Sequence, residues 1–579
     1  MRHLFKHLAR YRKESVLAPL FKLLEAMMEL YVPIVVADII DRGIGAGNRE
    51  YIISRFLVLL ALAAAGVVFA LTAQYFAAKA AVGCAGEIRM SLFDKVNRIA
   101  FADIDRIGTA SLITRLSGDS DLVQNGINLF LRLVMRSPFV VLGAMIMAFT
   151  VNRKASVIFA AAIALLFAAA FAIMLVPVRT YRKVQNRADA MTGTVRENLI
   201  GVRVIRAYGM SENEREEFRS VNSALSMIQK TAGKISALMN PATVLILNCA
   251  VMVLLYVSGG LVDTGELTAG QTVALYNYMG QILVELLKLA NLVITLSKAS
   301  ASMKRISEVL GTEPSMSFPE ETKAAEDSQY AVEFRNVTLR YSEGAEPALS
   351  DISFRLRRGE TLGIIGGTGS GKTSVLSLIL RFYDATSGAV LVDGRDVKDY
   401  TAPDLRSAIG YALQKPVLFR GTMRSNLTYG NREAGDGLIM ESVRTAQAEN
   451  IVESRQEGLD SVIEQKGRNL SGGQRQRLTV ARALARRPGI LILDDSSSAL
   501  DYATDAALRK SISELDYSPS VIIVSQRIVS VMNADTILVL DDGKTAGAGS
   551  HEELLKGCRV YREIYESQYG SAAGKGGDL

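Results

Sequence analysis

The pattern of apolar and polar positions divides this 579-residue chain near its middle. Long apolar runs dominate the first half, whereas in the second half short apolar runs alternate with charged stretches punctuated by glycine. A helix needs roughly 20 mostly apolar residues to cross the hydrocarbon core of a bilayer. Segments 56–78, 155–178 and 241–262 meet that requirement without a single charge. Segments 16–40, 129–151 and 270–296 meet it while carrying a few charges, among them Glu25, Glu29, Arg132, Arg136, Glu285 and Lys288. The pattern therefore predicts six membrane helices within residues 1–310.

Six crossings put both ends of the membrane half on the same side of the bilayer. The long connections between helices two and three and between four and five are rich in Lys and Arg, which places them in the cytoplasm. Arg153 and Lys154 fall in a short outer connection, against that rule. Helical amphipathicity continues past the membrane in stretches such as "EIRMSLFDKVNRIA", residues 87–100, so the helices are expected to project inward. Their tips, 103–118 and 205–216, are then placed to touch the second half. Glu285 and Lys288 lie three residues apart on one helical face, either as an ion pair turned to the bundle interior or as a substrate contact.

Charge and composition alter this picture little. The formal charge of +7 comes without a basic run interleaved with aromatics, which argues against nucleic acid and for basic loops facing an anionic leaflet. Three cysteines, Cys84, Cys249 and Cys558, match no metal or redox spacing and read as small buried hydrophobes. The N-terminal "MRHLFKHLARYRKESV" is basic and amphipathic, a helix on the membrane surface rather than a signal peptide. Residues 311–331 are acidic, hold two prolines and lack periodicity, so they read as a linker. A soluble domain at 332–570 and a flexible tail at 571–579 follow.

In that domain the strand-like "ETLGII" runs into "GGTGSGKTS" and then into the helical "VLSLILRFY". The loop comprises Gly366, Thr368, Gly369, Ser370, Gly371, Lys372, Thr373 and Ser374. Its glycines let backbone N–H groups curl around phosphate oxygens at a helix N-terminus, Lys372 reaches the terminal phosphates, and the Thr373 hydroxyl is offered to Mg2+. Further on, "ILILDD" is a buried strand ending in Asp494, a carboxylate for the nucleotide's magnesium. Between these motifs stands "LSGGQ", where Ser471, Gly472, Gly473 and Gln474 open a basic helix and form a second anion site. One nucleotide already has its phosphates cradled by the first loop, so the second edge is expected to close over the nucleotide of another domain.

These ordered motifs resemble the ABC transporter family over nearly the whole chain, and its exporter type in particular. The resemblance implies an α-helical transmembrane domain of six helices fused to an α/β P-loop NTPase domain, with ATP and Mg2+ bound. It implies that Tyr341 in "LRYSEGAEPAL" stacks on adenine, that Gln414 in "YALQKPVLF" joins Thr373 and Asp494 as a magnesium ligand, and that "SALD", from Ser498 to Asp501, signals between two such domains. The tips at 103–118 and 205–216 would be coupling helices.

Two positions depart from the family pattern. Members that hydrolyse ATP place Glu after the magnesium Asp, and here Asp495 stands there. The switch histidine is replaced by Gln526 in "VIIVSQRIVSV", and an amide donates a hydrogen bond but does not titrate. With "LSGGQ" intact, the resemblance implies the weak-site subunit of a heterodimeric multidrug-type exporter. Such a chain sits in a bacterial-type plasma membrane with its ATP domain in the cytoplasm, and moves an amphipathic molecule of drug or lipid class. A slow homodimeric exporter and an ATP-gated channel or regulatory subunit are the alternatives.

Overall fold

A computed structural model describes the backbone of residues 2–325, 327–342, 344–496 and 499–573, and side chains for these apart from stretches of the membrane helices. Ser498 and residues 574–579 of the expected tail lie outside the described residues. The chain forms two compact units, Met1–Asn97 with Thr109–Thr312, and Arg98–Gly108 with Glu313–Leu579.

The first unit is helical. Long helices run over Arg12–Asp38, Arg49–Arg98, Arg153–Ala207, Ser211–Asp263 and Ala269–Leu310. The segment expected as one helix at 129–151 is broken, with helices Ser120–Leu133 and Arg136–Val151 meeting at a turn. Pro138 accounts for the break, because it has no N–H to offer the carbonyl of Val134 and its ring crowds that turn. Among the described residues, Arg49–Arg98, Thr109–Val151 and Val244–Asp263 are long and apolar enough to cross a membrane. Phe56, Leu57, Leu60, Val67, Val68 and Leu71 lie exposed along one of them, an apolar surface that suits lipid and not water.

Small residues let these helices approach closely. Ala144, Ala148 and Ala155 are fully buried beside Phe159, Leu275 and Tyr278, and a Cβ on Gly126 would sit 2.3 Å from the Ala299 methyl. Such contacts replace the hydrophobic effect, which does not drive helix pairing in lipid. At one end, Asp41 accepts from the Thr268 hydroxyl at 2.5 Å and the Gly270 N–H at 2.8 Å, tying the first long helix to the start of the last. Asn152 caps the helix that Arg153 opens, and Lys154 pairs with Glu266 at 2.8 Å. That pair offsets a positive charge the inside rule disfavours. Cys84 and Cys558 are buried as expected, whereas Cys249 is exposed.

The second unit is α/β. A six-stranded sheet has the order Lys544–Gly549, Thr536–Asp541, Thr361–Gly366, Ser520–Val524, Ile490–Asp494, Ile409–Ala412, parallel except for its first edge strand. Its central strands are near-continuous Ile, Leu and Val because helices and loops cover both faces. A four-stranded antiparallel sheet built on Tyr330–Leu339 adjoins it. The segment expected as a linker is held down from Glu313 onward: the Phe318 ring lies 4.4 Å under the Arg381 guanidinium, and Lys323 pairs with Asp399 at 2.5 Å. Arg98–Gly108, which takes in the first residues of the expected coupling tip at 103–118, belongs to this unit, with Phe101 packed 4.4 Å from Phe382 and Tyr383 donating to Asp105. The second tip, 205–216, belongs to the helical unit.

Candidate nucleotide site

The strand Thr361–Gly366 lies at the centre of the sheet and delivers the glycine loop to its C-terminal edge, where ligands of open α/β sheets bind. Two positions in the loop demand glycine. A Cβ at Gly366 would meet the Leu540 carbonyl at 2.2 Å, and Gly371 has φ of +98° with the Leu349 side chain 2.6 Å from where a Cβ would stand. The loop then opens the helix Lys372–Ile379, whose Val375, Leu376, Leu378 and Ile379 are buried. Lys372 curls back over the loop, its Nζ donating to the carbonyls of Gly366 at 2.7 Å and Gly367 at 2.6 Å. Burial holds its ammonium below the ordinary lysine range, against the pull of the Asp495 and Asp494 charges.

Asp494 and Asp495 reach the same sheet edge. Burial raises the Asp494 carboxyl above its ordinary value, Asp495 adds to the rise, and the Tyr411 hydrogen bond and the Lys372 charge oppose it. The Tyr411 hydroxyl donates to Asp494 Oδ2 at 3.0 Å, and Gln414 Nε2 lies 3.4 Å from Asp495 Oδ2. Asp495 has φ of +45°, a left-handed turn that ends the strand. Thr373, Gln414 and Asp494 offer oxygen donors only, the hard set that suits Mg2+ shared with phosphate oxygens. The residues fit a magnesium nucleotide, whose metal would neutralise phosphate charge.

Tyr341 lies beside the loop helix. Its hydroxyl is 2.8 Å from Ser374 Oγ, its ring meets Tyr383 edge-on at 4.9 Å, and about half of it is exposed. Ser370, within the loop, is buried. Gln526 is exposed, and its backbone carbonyl accepts from Gln568 Nε2 at 2.8 Å while Gln568 Oε1 accepts from the Ile528 N–H at 2.9 Å. Thus the last described helix, Arg559–Ala573, holds the segment around Gln526 at two points.

The second anion edge is built on different packing. Ser471 caps the helix Gly472–Leu484 in a capping box, accepting from the Gln474 N–H at 3.3 Å while Gln474 Oε1 accepts from the Ser471 N–H at 2.9 Å. Leu478, Val480 and Ala481 of this helix bury into one apolar cluster, and Leu376, Leu378 and Ile379 of the loop helix into another. Gln476 donates to the Leu413 carbonyl at 3.2 Å and Arg482 to that of Val417 at 2.9 Å, so this helix grips the segment that carries Gln414. Asp501 caps the next helix, Tyr502–Ser513, with both carboxylate oxygens on Thr504.

Tyr411, Gln476 and Gln568 were not predicted from sequence. Tyr411 had a signal: it sits three residues before Gln414 and pairs in register with Ile492 in the neighbouring strand. Gln568 had none, because 42 residues separate it from Gln526.

Known proteins match the chain in the same two parts. A family model described as ABC transporter transmembrane region matches residues 15–286, and one described as ABC transporter matches residues 349–498. An uncharacterised ABC transporter ATP-binding protein of Mycobacterium tuberculosis is 34% identical over 98% of both chains, and one of Bacillus subtilis is 33% identical over 98% of this chain and 99% of its own. An ATP-dependent lipid A-core flippase of Vibrio vulnificus is 27% identical over 98% of this chain and 97% of its own. The solved structure of a bacterial Atm1-family ABC exporter with ATP bound shares the fold, with a TM-score of 0.78, 22% identity and coverage of 97% and 99%. With a membrane region and an ATP-binding domain joined in one chain, and relatives of this identity over nearly its full length, the protein belongs to the ABC transporter family as a half-transporter of exporter fold.

Proposed function

We propose that this chain is one subunit of a heterodimeric ATP-driven exporter, and that its own site holds ATP and hydrolyses it slowly. The observation that carries this reading is the asymmetry between its two edges. Asp495 and Gln526 stand where efficient members carry Glu and His, while Ser471 to Gln474 form an intact helix-capping anion edge. An edge of that kind serves the nucleotide of a partner, so selection on it can continue after the chain's own site has weakened. Asp494, Lys372 and Thr373 keep the means to bind a magnesium nucleotide, with Tyr341 placed for the adenine. The partner's Glu and His would complete the faster site.

The lipid A-core flippase among the relatives and the apolar helical unit support an amphipathic substrate of drug or lipid class. The expected setting is a bacterial-type plasma membrane, with the ATP domain in the cytoplasm. The test is ATP turnover by the purified chain alone and together with a second half-transporter carrying Glu and His at the two altered positions. Little activity alone and full activity in the pair is the expected result. Full turnover by the isolated chain would sink the heterodimer reading in favour of a homodimer. ATP binding without ATP-driven uptake into inverted vesicles by the pair would favour a channel or regulatory subunit.

A further inference from the structure

Inside the helical unit, charges from three helices meet at a cavity of about 460 Å³. Arg136, with only 6% of its side chain exposed, donates from Nη1 to Glu285 and from Nη2 to Glu29 at 2.6 Å. Glu285, equally buried, also accepts from the Ser137 hydroxyl at 2.7 Å and the Lys288 ammonium at 2.9 Å. The paired Glu285 and Lys288 are thus both an ion pair and part of a cavity wall. The remaining groups are less complete. Arg136 Nε and Gln281 Oε1 are buried without a hydrogen-bond partner among the described residues. Glu29 and Lys288 are each close to half exposed, at 45% and 44%.

This network sums to zero: two carboxylates, one guanidinium and one ammonium. A ligand carrying a single net charge would leave one charge uncompensated in a low-dielectric bundle, which is costly. A head group with both signs would meet Glu29 on one side and Lys288 on the other with no residual charge. The unsatisfied Gln281 oxygen and Arg136 nitrogen lie within the same wall, and each costs free energy while unpaired. Val140, Val251 and Val284 give the rest of the wall an apolar patch for a tail, beside Tyr276, Asn248 and Asn277.

We propose that the cavity lined by Glu29, Arg136, Gln281, Glu285 and Lys288 binds the zwitterionic head, ammonium plus phosphate or carboxylate, of an amphipathic substrate. This rests on the export reading above and narrows its substrate class. Two sources share that chemistry, a lipid and a small soluble zwitterion, and the valine wall favours the lipid.

The test measures equilibrium binding of radiolabelled probes to the full chain in maltoside micelles, with protein-free micelles as blank. The probes are lysophosphatidylethanolamine, lysophosphatidylglycerol, an alkyltrimethylammonium of the same tail length, and phosphoethanolamine alone. The zwitterionic lysolipid is expected to bind roughly tenfold more tightly than either singly charged probe, the low end of what a close charge pair contributes, because Glu29 and Lys288 are close to half exposed. Glu29→Gln should shift the preference toward the anionic probe and Lys288→Gln toward the cationic one, with Lys288→Arg restoring the original order. A purely structural cluster would not invert charge preference. Equal binding of all three amphipathic probes, or equal weakening of all three by both variants, overturns the proposal. Phosphoethanolamine binding as tightly as the lysolipid overturns the lipid assignment. Uptake of lysophosphatidylethanolamine into inverted vesicles holding the chain paired with the second half-transporter is read separately: no ATP dependence with the binding preference intact would remove the export reading and leave this site standing.

Discussion

Replacing Asp495 by Glu lengthens the acid at the position that should orient the attacking water. One added methylene extends its reach by about 1.5 Å, and a misplacement of about 1 Å costs roughly 100-fold in rate, equivalent to about 2.7 kcal/mol of barrier. Little offsets this gain. The φ of +45° at Asp495 is unfavourable for either side chain, and Asp tolerates it slightly better than Glu. Gln414 Nε2, 3.4 Å from Asp495 Oδ2, sits at a distance that a small movement accommodates. In a self-paired dimer of the isolated chain, where each site would be closed by an intact Ser471 edge, Asp495→Glu should raise steady-state phosphate release by about 10- to 100-fold. The range allows for Gln526, which still lacks a histidine's charge. Gln526→His added to Asp495→Glu should raise it further. In the proposed heterodimer the partner's site would dominate turnover, so the same Asp495→Glu change should alter the rate only modestly. If phosphate release by the isolated Asp495→Glu chain stays within twofold of the parent while nucleotide binding is intact, carboxylate reach is not what limits this site, and the slow-site argument fails.

Lys372→Ala removes a charged donor to the phosphates, a contact worth 1.5–3 kcal/mol in general, so ATP affinity measured by a fluorescent analogue should fall roughly 10- to 100-fold. The fold should survive, because Lys372 bonds only to its own loop carbonyls and Ser370 among the described residues. Asp494→Asn should raise the thermal midpoint of the nucleotide-free protein at neutral pH while weakening magnesium-dependent binding. The sign follows from burial: the folded-state value of Asp494 lies above its unfolded value, so ionised Asp494 destabilises the fold at pH above the raised value. The advantage of Asn should shrink as pH falls toward the ordinary aspartate range and vanish below it, which a pH series of melts reads directly. Gln568→Ala should loosen the loop around Gln526, seen as faster amide exchange at Ile528, with little change in overall stability.

Much of this architecture follows from neighbouring residues alone. Uncharged runs of membrane-spanning length, the continuous Ile and Leu of "ILILDD", and the glycine loop between strand and helix are local patterns. The physics behind them, lipid transfer, two-sided burial and left-handed backbone, acts within a few residues of each position. The break at Val134 belongs with these, because Pro138 encodes it, although hydropathy alone reads through it.

Packing decided the rest. Arg136 and Glu285 are 149 residues apart, and sequence left Glu285 as either a local ion pair or a substrate contact; the fold pairs it with Lys288 and Arg136 and sets it in a cavity wall. Tyr411 reaches Asp494 across 83 residues, and Gln568 reaches Gln526 across 42. Such contacts depend on which strands adjoin and which helices bury against one another, and no periodicity along the chain records that. Sequence by itself therefore determined the kind of domains and the loop that cradles phosphate. Only the tertiary structure determined which distant side chains hold Asp494 and the segment around Gln526, and which buried charges compensate one another inside the membrane unit.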